Sequence, residues 1–420
     1  MNILIIAPGS RGDVQPYNAL GKGLKNAGHH IRFVSHHNFK SLVTSYGLEF
    51  WSVDSDVKGI VENNEMRERI EKGNFLLLMA QMAKEAQREA LLFAKSGLSA
   101  AQGMDIVLAG MAGLYTGVAI AEKAKLPFVQ AYVVPFTPTK DFSSVLTPKL
   151  PVPLNRLSHQ LTRQLMWQGF RSADALTRKK VLGIPAAPLS GPYNSKSTHG
   201  MPILYGYSPS VIPTPSDWNG NIHITGYWFL DEEDEWQPPS ALLEFLQSGS
   251  PPIYIGFGSM SNRHPEQTAD LIIQALKKVN QRAILLSGWS GLQKTTMPDS
   301  IFMIGSIPHS WLFPRVSVVV HHGGASTTAA GLKAGVPSII IPFFGDQPFW
   351  GRRVAELGVG ANPIPRKKLT AERLANAIQE VVTNEAMRQR AAKLGKQIQT
   401  ENGIARSVEI INQLERQKAA

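Results

Sequence analysis

The sequence predicts an α/β protein made of two doubly wound, Rossmann-like domains facing each other across a cleft. Three observations carry that expectation. The chain has 420 residues, more than one ordinary core accommodates, and two domains of roughly 200 residues are the natural division. Short apolar runs alternate with helical patterns in both halves, as parallel, right-handed βαβ units require. Between the halves, Ser208–Ser240 gathers Pro209, Pro213, Pro215, Pro238 and Pro239 around the acidic run Asp231–Glu235, which reads as a linker region. Ligands of such sheets bind outside the carboxyl ends of the strands, so functional residues are sought there.

Asn2–Ala7 is a first buried strand. Pro16–Asn26 reads as a helix with Ala19, Leu20 and Leu24 on one face, and Gly28 stands where a left-handed C-terminal residue is expected. His30–Ser35, Asp105–Leu108 and Pro127–Tyr132 follow as strands, the last two separated by the helix Leu114–Ala124. Glu62–Ser96 is helical and partly charged, and its apolar cluster Leu76–Met82 is more simply core packing than a ligand contact. Pro135–Pro192 is a long insertion rich in prolines and aromatic residues, of the kind that builds a pocket wall or lid. The second alternation runs through strand Pro252–Gly256, helix Pro265–Lys278 and strands Arg282–Ser287, Ile301–Ile304 and Val316–Val320. Helix Thr327–Ala334 and strand Ser338–Ile341 come next, and Ala371–Gln417 reads as three helices. The expected division is an N-terminal domain over 1–210, a linker over 211–240, a C-terminal domain over 241–395 and a helix over 396–420 that can return to brace the first domain.

Composition excludes several classes. A hydrophobic share of 43% with 18% charged residues fits a globular chain and not a disordered one. With no cysteine, disulfides and thiolate catalysis are excluded, and no oxidising compartment is needed. Met1–Pro8 lacks a preceding basic region and breaks at Pro8-Gly9, so it reads as a strand and not a signal peptide. No apolar run approaches the roughly 20 residues needed to span a bilayer. The protein is expected to be soluble and cytoplasmic. Its net charge is +11, from 43 basic and 32 acidic residues. No dense Lys/Arg block is interleaved with aromatics, so nucleic acid is not the expected partner. A generally basic surface that favours an anionic ligand is the simplest reading, and peripheral contact with an anionic membrane stays open.

In the first half, Gly9-Ser10-Arg11-Gly12 follows strand one but lacks the G-x-G-x-x-G spacing, and strand two ends in Ser35-His36-His37 without an acidic ribose ligand. A dinucleotide site is therefore not expected, and no P-loop motif occurs. Asp13 follows that loop at a strand's carboxyl end, where a carboxylate could take a proton from an attacking hydroxyl. Capping of the helix start explains an aspartate there equally well. His36 and His37 are weaker base candidates, more simply packed or surface histidines.

The second half is more specific. Strand Val316–Val320 leads into His321-His322-Gly323-Gly324-Ala325, with Ser326, Thr327 and Thr328 at the next helix start. Two glycines permit a tight turn and close approach to a ligand. The unpaired N–H groups and positive dipole end of the helix suit a diphosphate, to which His322 adds a donor. Capping alone accounts for one hydroxyl but not for three beside two histidines. After Ser338–Ile341, Asp346 and Gln347 offer acceptors and a donor for sugar hydroxyls next to that phosphate turn. Gly256-Phe257-Gly258-Ser259-Met260 could flank the diphosphate from the other side, and Ser287, Trp289, Ile307 and His309 could line a base pocket. No Asp-x-Asp metal motif and no G-x-S-x-G elbow occur, so a metal is not expected.

These motifs resemble those of the GT-B fold, family 1 glycosyltransferases, in particular sterol 3-β-glucosyltransferases and bacterial glycosyltransferases of glycopeptide and macrolide pathways. The resemblance rests on GSRGDVQP at Gly9–Pro16, GFGSM at Gly256–Met260, IPHSWLF at Ile307–Phe313, HHGGAST at His321–Thr327 and GVPSIIIPFFGDQPFWGRRV at Gly335–Val354, in order across both halves. It implies inverting, metal-independent transfer of a hexose, glucose foremost, from a UDP-sugar to a hydroxyl of a lipophilic acceptor such as a sterol or triterpenoid. The UDP-sugar is a co-substrate, and no further cofactor is implied. Asp13 would be the general base, His322 the donor-phosphate contact, and Asp346 and Gln347 the sugar ligands. Ser259 and the turn Gly324, Ala325, Ser326 and Thr327 would surround the diphosphate. The first domain would take the acceptor, with Leu78, Met82, Tyr132, Phe136 and Phe142 as candidate apolar contacts, and the second would take the donor. The chain departs from the pattern at Ser326, where many relatives have glycine, and at Ser306, near which plant-type members place a base-stacking tryptophan. The second departure leaves UDP- and TDP-sugars both open. A nonhydrolysing UDP-sugar epimerase and a catalytically silent sugar-nucleotide or lipid-binding protein are the competing readings.

Overall fold

A computed structural model describes residues 1–55, 75–230, 236–257, 265–287 and 297–419, the side chains of 75–86, 265 and 417–419 excepted. Within it the described chain forms two compact units. The first takes residues 1–55, 76–230 and 401–419, and the second takes the described residues between 236 and 400.

The first unit opens with β1 (Asn2–Ile6), α1 (Arg11–Asn26), β2 (His30–His36), α2 (Lys40–Thr44) and β3 (Glu49–Val53). It continues with α3 (Phe75–Ala100), β4 (Ile106–Ala109), α4 (Leu114–Ala124), β5 (Phe128–Tyr132), α5 (Asn155–Thr177), β6 (Ile203–Tyr205) and β7 (Ile222–Ile224). The seven strands are parallel in the order β3-β2-β1-β4-β5-β6-β7. The order reverses between β1 and β4, so the loops leaving those two strands flank the sheet's switch point. Ile3, Leu4, Ile5 and Ile6 are fully buried, as expected for a parallel sheet covered on both faces.

Two features differ from the sequence expectation. α1 begins at Arg11, not Pro16, because Ser10 and Asp13 form a reciprocal capping box that starts the helix before the proline. Residues 211–230, expected within the linker, belong to the first unit. Ile222–Ile224 supplies its edge strand, and Val211, Ile212, Tyr227 and Trp228 are buried. Proline density there marks tight turns around a short strand.

α4 and α5 are joined by a buried charge cluster. Arg178 Nε donates to Asp174 Oδ2 at 2.7 Å and Arg178 Nη1 to Glu122 Oε2 at 2.5 Å, with Arg178 and Asp174 side chains 3% and 2% exposed. Burial pushes the Asp174 carboxyl up to about 6, the Arg178 charge pulling the other way. Arg178→Ala leaves a buried carboxylate without its cation. We expect it to lower stability by about 3–5 kcal/mol, read as a shift in the urea midpoint of the first unit.

The second unit comprises α6 (Ser240–Gln247), β8 (Ile253–Gly256), α7 (Pro265–Lys278), β9 (Ala283–Leu286), β10 (Ile301–Ile304), α8 (His309–Leu312) and β11 (Val318–His321). After these come α9 (Ala325–Ala334), β12 (Ser338–Ile340), α10 (Gln347–Glu356), α11 (Ala371–Thr383) and α12 (Glu385–Thr400). Its five strands are parallel in the order β10-β9-β8-β11-β12. Alternate residues feed separate cores on the two faces: Ile253, Ile255, Val318 and Val320 on one, Tyr254 and Val319 on the other. Here the order reverses between β8 and β11.

The last helix, α13 (Gly403–Ala419), belongs to the first unit and packs on α1. Trp228 Nε1 donates to Ser407 Oγ at 2.9 Å, Ser208 and Ser210 hydroxyls donate to Glu401 Oε1 at 2.7 and 2.8 Å, and His29 Nε2 lies 2.7 Å from Asn412 Oδ1. Among the described residues, no helix is long and apolar enough to cross a membrane.

Candidate active site

In the first unit Asp13, the expected base, lies in the first turn of α1 beyond the end of β1. Ser10 N–H and Ser10 Oγ donate to Asp13 Oδ2 at 2.9 and 2.8 Å. Among the described residues, both of these bonds fall on the same oxygen. Asp13 keeps part of its surface exposed, yet burial of its carboxyl pushes the pKa above the ordinary carboxylate value, the Ser10 bonds opposing. A base raised in this way is better matched to a hydroxyl's proton. Burial, and next the Asp13 charge, keep neighbouring Tyr17 protonated, and its hydroxyl donates to Ala131 O at 2.7 Å.

The loop carrying Ser10 is held by a residue read from sequence only as a weak base candidate. Gly9 N–H donates to His36 Nε2 at 3.0 Å. Nε2 is thus the acceptor and Nδ1 carries the proton, which is donated to Ser55 Oγ at 2.7 Å, with Glu89 Oε2 3.8 Å away. His36 is 2% exposed, whereas His37 faces solvent. Serine three residues before Asp13 was the sequence signal for the capping box; the His36 contact, 27 residues away in sequence, carried none.

In the second unit the register sets His321 level with Gly256 of β8 and Ile340 of β12, so the carboxyl ends of three strands meet. His321 is fully buried, and Gly323 N–H donates to its Nδ1 at 3.1 Å. Gly323 has φ +90°, and a Cβ there would meet Ile340 Cγ2 at 2.6 Å and Gln347 O at 3.1 Å. Only glycine lets the turn after β11 lie against the start of α10. Gly324 caps α9, and a Cβ on it would meet His322 Nε2 at 2.6 Å. The imidazole therefore lies over the helix N-terminus, where Ala325, Ser326 and Thr327 precede the first intrahelical bond, from Thr328 N–H to Gly324 O at 2.9 Å. That is an anion-binding geometry. Thr328, counted among the phosphate-side hydroxyls, instead donates its Oγ1 to Gly324 O at 2.9 Å, as helix back-bonding dictates.

Asp346 is the N-cap of α10, and its Oδ2 accepts from Trp350 Nε1 at 2.8 Å. Gln347 Oε1 accepts from Phe343 N–H at 2.8 Å and Phe344 N–H at 3.3 Å, bracing the loop after β12. The structure thus brings together His322, Gly324 to Thr327, Asp346 and Gln347. Ser287 ends β9, where its N–H and Oγ both donate to Ile304 O at 2.8 and 3.0 Å. Ile307 is packed with Tyr254, Leu312 and Phe313. Ser259 and Trp289 lie outside the described residues, as do the side chains of Leu78 and Met82. Tyr132 and Phe136 are 1% and 3% exposed in an aromatic cluster with Tyr205 and Tyr193, and Phe142 packs on His159.

Residues 3–143 match the glycosyltransferase family 28 N-terminal domain, and residues 270–415 match the erythromycin biosynthesis protein CIII-like C-terminal domain. Two sterol 3-beta-glucosyltransferases of Arabidopsis thaliana are 37% and 36% identical to 97% of this chain, which spans 64% and 67% of their lengths. The chain belongs to the family 1 glycosyltransferases of GT-B fold. A sterol 3-beta-glucosyltransferase of Cryptococcus neoformans is 35% identical over 98% of the chain, which spans 27% of that relative. Solved structures agree on the fold: the glycosyltransferase of kitacinnamycin superposes with TM-score 0.72 and CalG4, the calicheamicin glycosyltransferase, with 0.70, each at 18% identity. These matches cover 98% of both chains for the first, and 100% of this chain and 99% of the other for the second.

In this chain, burial pushes His322 down to about 4 and holds His321 well below the ordinary histidine value, so both rings are neutral at pH 7. His322 is then a neutral hydrogen-bonding group beside the helix terminus. The unfolded chain protonates His322 near 6.5 and the folded chain near 4, so the stability linked to this ring is full above 6.5 and is lost as pH falls towards 4. Thermal unfolding followed across this window should show that loss in the wild type and a shallower one in His322→Gln.

Proposed function

We propose that the chain transfers a hexose, glucose foremost, from a UDP-sugar to the hydroxyl of a lipophilic acceptor by a single inverting displacement. The observation that carries this reading is the joining, at one sheet's switch point, of the His322 imidazole, the α9 N-terminus and the Asp346-Gln347 loop. In the proposal the helix terminus and His322 hold the diphosphate and stabilise it as it leaves, while Asp346 and Gln347 orient the sugar. Asp13 removes the acceptor proton as the oxygen attacks the anomeric carbon opposite the departing nucleotide. The relatives, sterol 3-beta-glucosyltransferases by name, support a sterol-like acceptor and UDP-glucose as first choices. No step assigned here calls for a bound cofactor.

The test is UDP release measured across UDP- and TDP-sugars with sterol, triterpenoid and polyketide acceptors. The reading requires release that depends on acceptor and yields a glycoside. Interconversion of the sugar without acceptor would establish the epimerase instead, and UDP-sugar binding without turnover would establish a silent binding protein.

A further inference from the structure

α5 presents its apolar stripe to solvent. Among the described residues seven large apolar side chains are exposed, and six gather here: Val152 at 68%, Leu154 at 44%, Leu157 at 47%, Leu161 at 61%, Leu165 at 47% and Leu189 at 64%. Leu154, Leu157, Leu161 and Leu165 follow the three-and-four spacing of one helical face. Gln164 and Gln168 both donate through Nε2 to Leu189 O at 3.1 Å, which fixes Leu189 beside the stripe. The opposite face is polar and buried: Asn155 Nδ2 donates to Lys140 O at 2.9 Å, Ser144 N–H donates to Ser158 Oγ at 2.9 Å, and His159 Nε2 lies 3.0 Å from Phe142 O. Over its first turns the helix is thus inverted relative to an ordinary surface helix, with Asn155, Ser158 and His159 hydrogen-bonded inside and leucines outside, while Trp167 and Ala173 are buried from its later turns.

Cations predominate around the stripe, although Asp141 and Asp217 stand beside the start of α5, where Lys140 N–H donates to Asp217 Oδ2 at 3.1 Å and Ser216 N–H to Asp141 Oδ2 at 2.7 Å. Between Phe142 and Ser216 the sequence holds a single carboxylate, Asp174, and that one is buried against Arg178. Lys149, Arg156, Arg171, Lys179 and Lys180 in the same stretch are exposed. From Val152 to Leu165 the apolar face extends roughly 20 Å, at 1.5 Å per residue.

We infer that this face docks the first unit on an anionic phospholipid surface, the leucines entering the acyl boundary and the cations meeting the headgroups. The inference rests on the proposed function in one respect: an acceptor that partitions into a bilayer gives the docking its purpose. Positive rim charge selects the bilayer over a second copy of the chain, whose identical cations would meet across a symmetric contact.

The test uses the full chain with vesicles of phosphatidylcholine alone or with phosphatidylglycerol, followed by flotation. Wild type should float with the anionic vesicles, less so as salt rises. Leu157→Gln/Leu161→Gln/Leu165→Gln should weaken binding by more than about tenfold, and Lys149→Glu/Arg156→Glu/Arg171→Glu by on the order of a hundredfold. Both variants should keep wild-type turnover with detergent-dispersed acceptor and lose it with vesicle-borne acceptor. Flotation without any sugar transfer would refute the proposed function and leave the docking standing. Wild-type flotation and turnover in both variants would overturn the docking alone, as would a dimer that the leucine variant converts to monomer with no change on vesicles.

Discussion

Asp13→Asn is expected to lower kcat by roughly 10²–10⁴-fold and to leave UDP-sugar affinity unchanged. Asparagine can still accept from Ser10 N–H and Oγ, which bond Asp13 Oδ2 at 2.9 and 2.8 Å, so the capping box that starts α1 survives. Asp13→Ala removes both roles and should add a stability loss of about 1 kcal/mol to the same loss of turnover. Comparing the two separates base from cap: if Asp13 served only as a cap, asparagine would restore activity. The raised pKa of the carboxyl gives a second signature. The acid limb of kcat/KM should fall above the pH at which an ordinary aspartate titrates, because the base works only when ionised.

His322→Ala is expected to reduce kcat/KM by roughly 10²–10³-fold, the usual consequence of deleting one preorganised donor from a site of developing charge. Gly324→Ala provides an independent route to the same defect. Its new Cβ would lie 2.6 Å from His322 Nε2, so the ring must leave the α9 terminus. Once His322 is absent the methyl has nothing to displace, and the double variant should be scarcely worse than His322→Ala. Additive losses would show that Gly324 acts elsewhere. Since burial holds His322 neutral down to about pH 4, its contribution should not vary between pH 6 and 8.

Legibility in the sequence followed the periodicity of burial. The central strands of both sheets could be read because they are buried on both faces and therefore run as continuous aliphatic segments, as at Ile3–Ile6 and Val318–Val320. β6 and β7 could not be read, being three residues each among prolines and relying for their strand character on backbone pairing, β6 to β5 and β7 to β6. α5 was hidden for a different reason. Its buried face carries Ser158, His159 and Thr162 while Leu157, Leu161 and Leu165 lie outside, so the hydrophobic pattern points away from the core. At the site, the turn His321–Thr327 was readable because glycines, histidines and hydroxyls coincide at a strand-to-helix junction. What the sequence could not show was which polar groups the fold itself consumes. Thr328 bonds its own helix, Gln347 Oε1 braces the Phe343-Phe344 loop, and Trp350 holds Asp346. His36 was readable as a histidine at a strand end but not as the support of the Gly9 loop, which requires β1 and β2 to pair in register.

The most direct measurement is the anomeric configuration of the product, by NMR, when UDP-α-glucose and a sterol are turned over by the wild-type chain. A single displacement with Asp13 deprotonating the sterol hydroxyl must deliver the β-glucoside, with UDP released in equal amount. An α-glucoside, or glucose isomerised while still attached to UDP, would contradict the account.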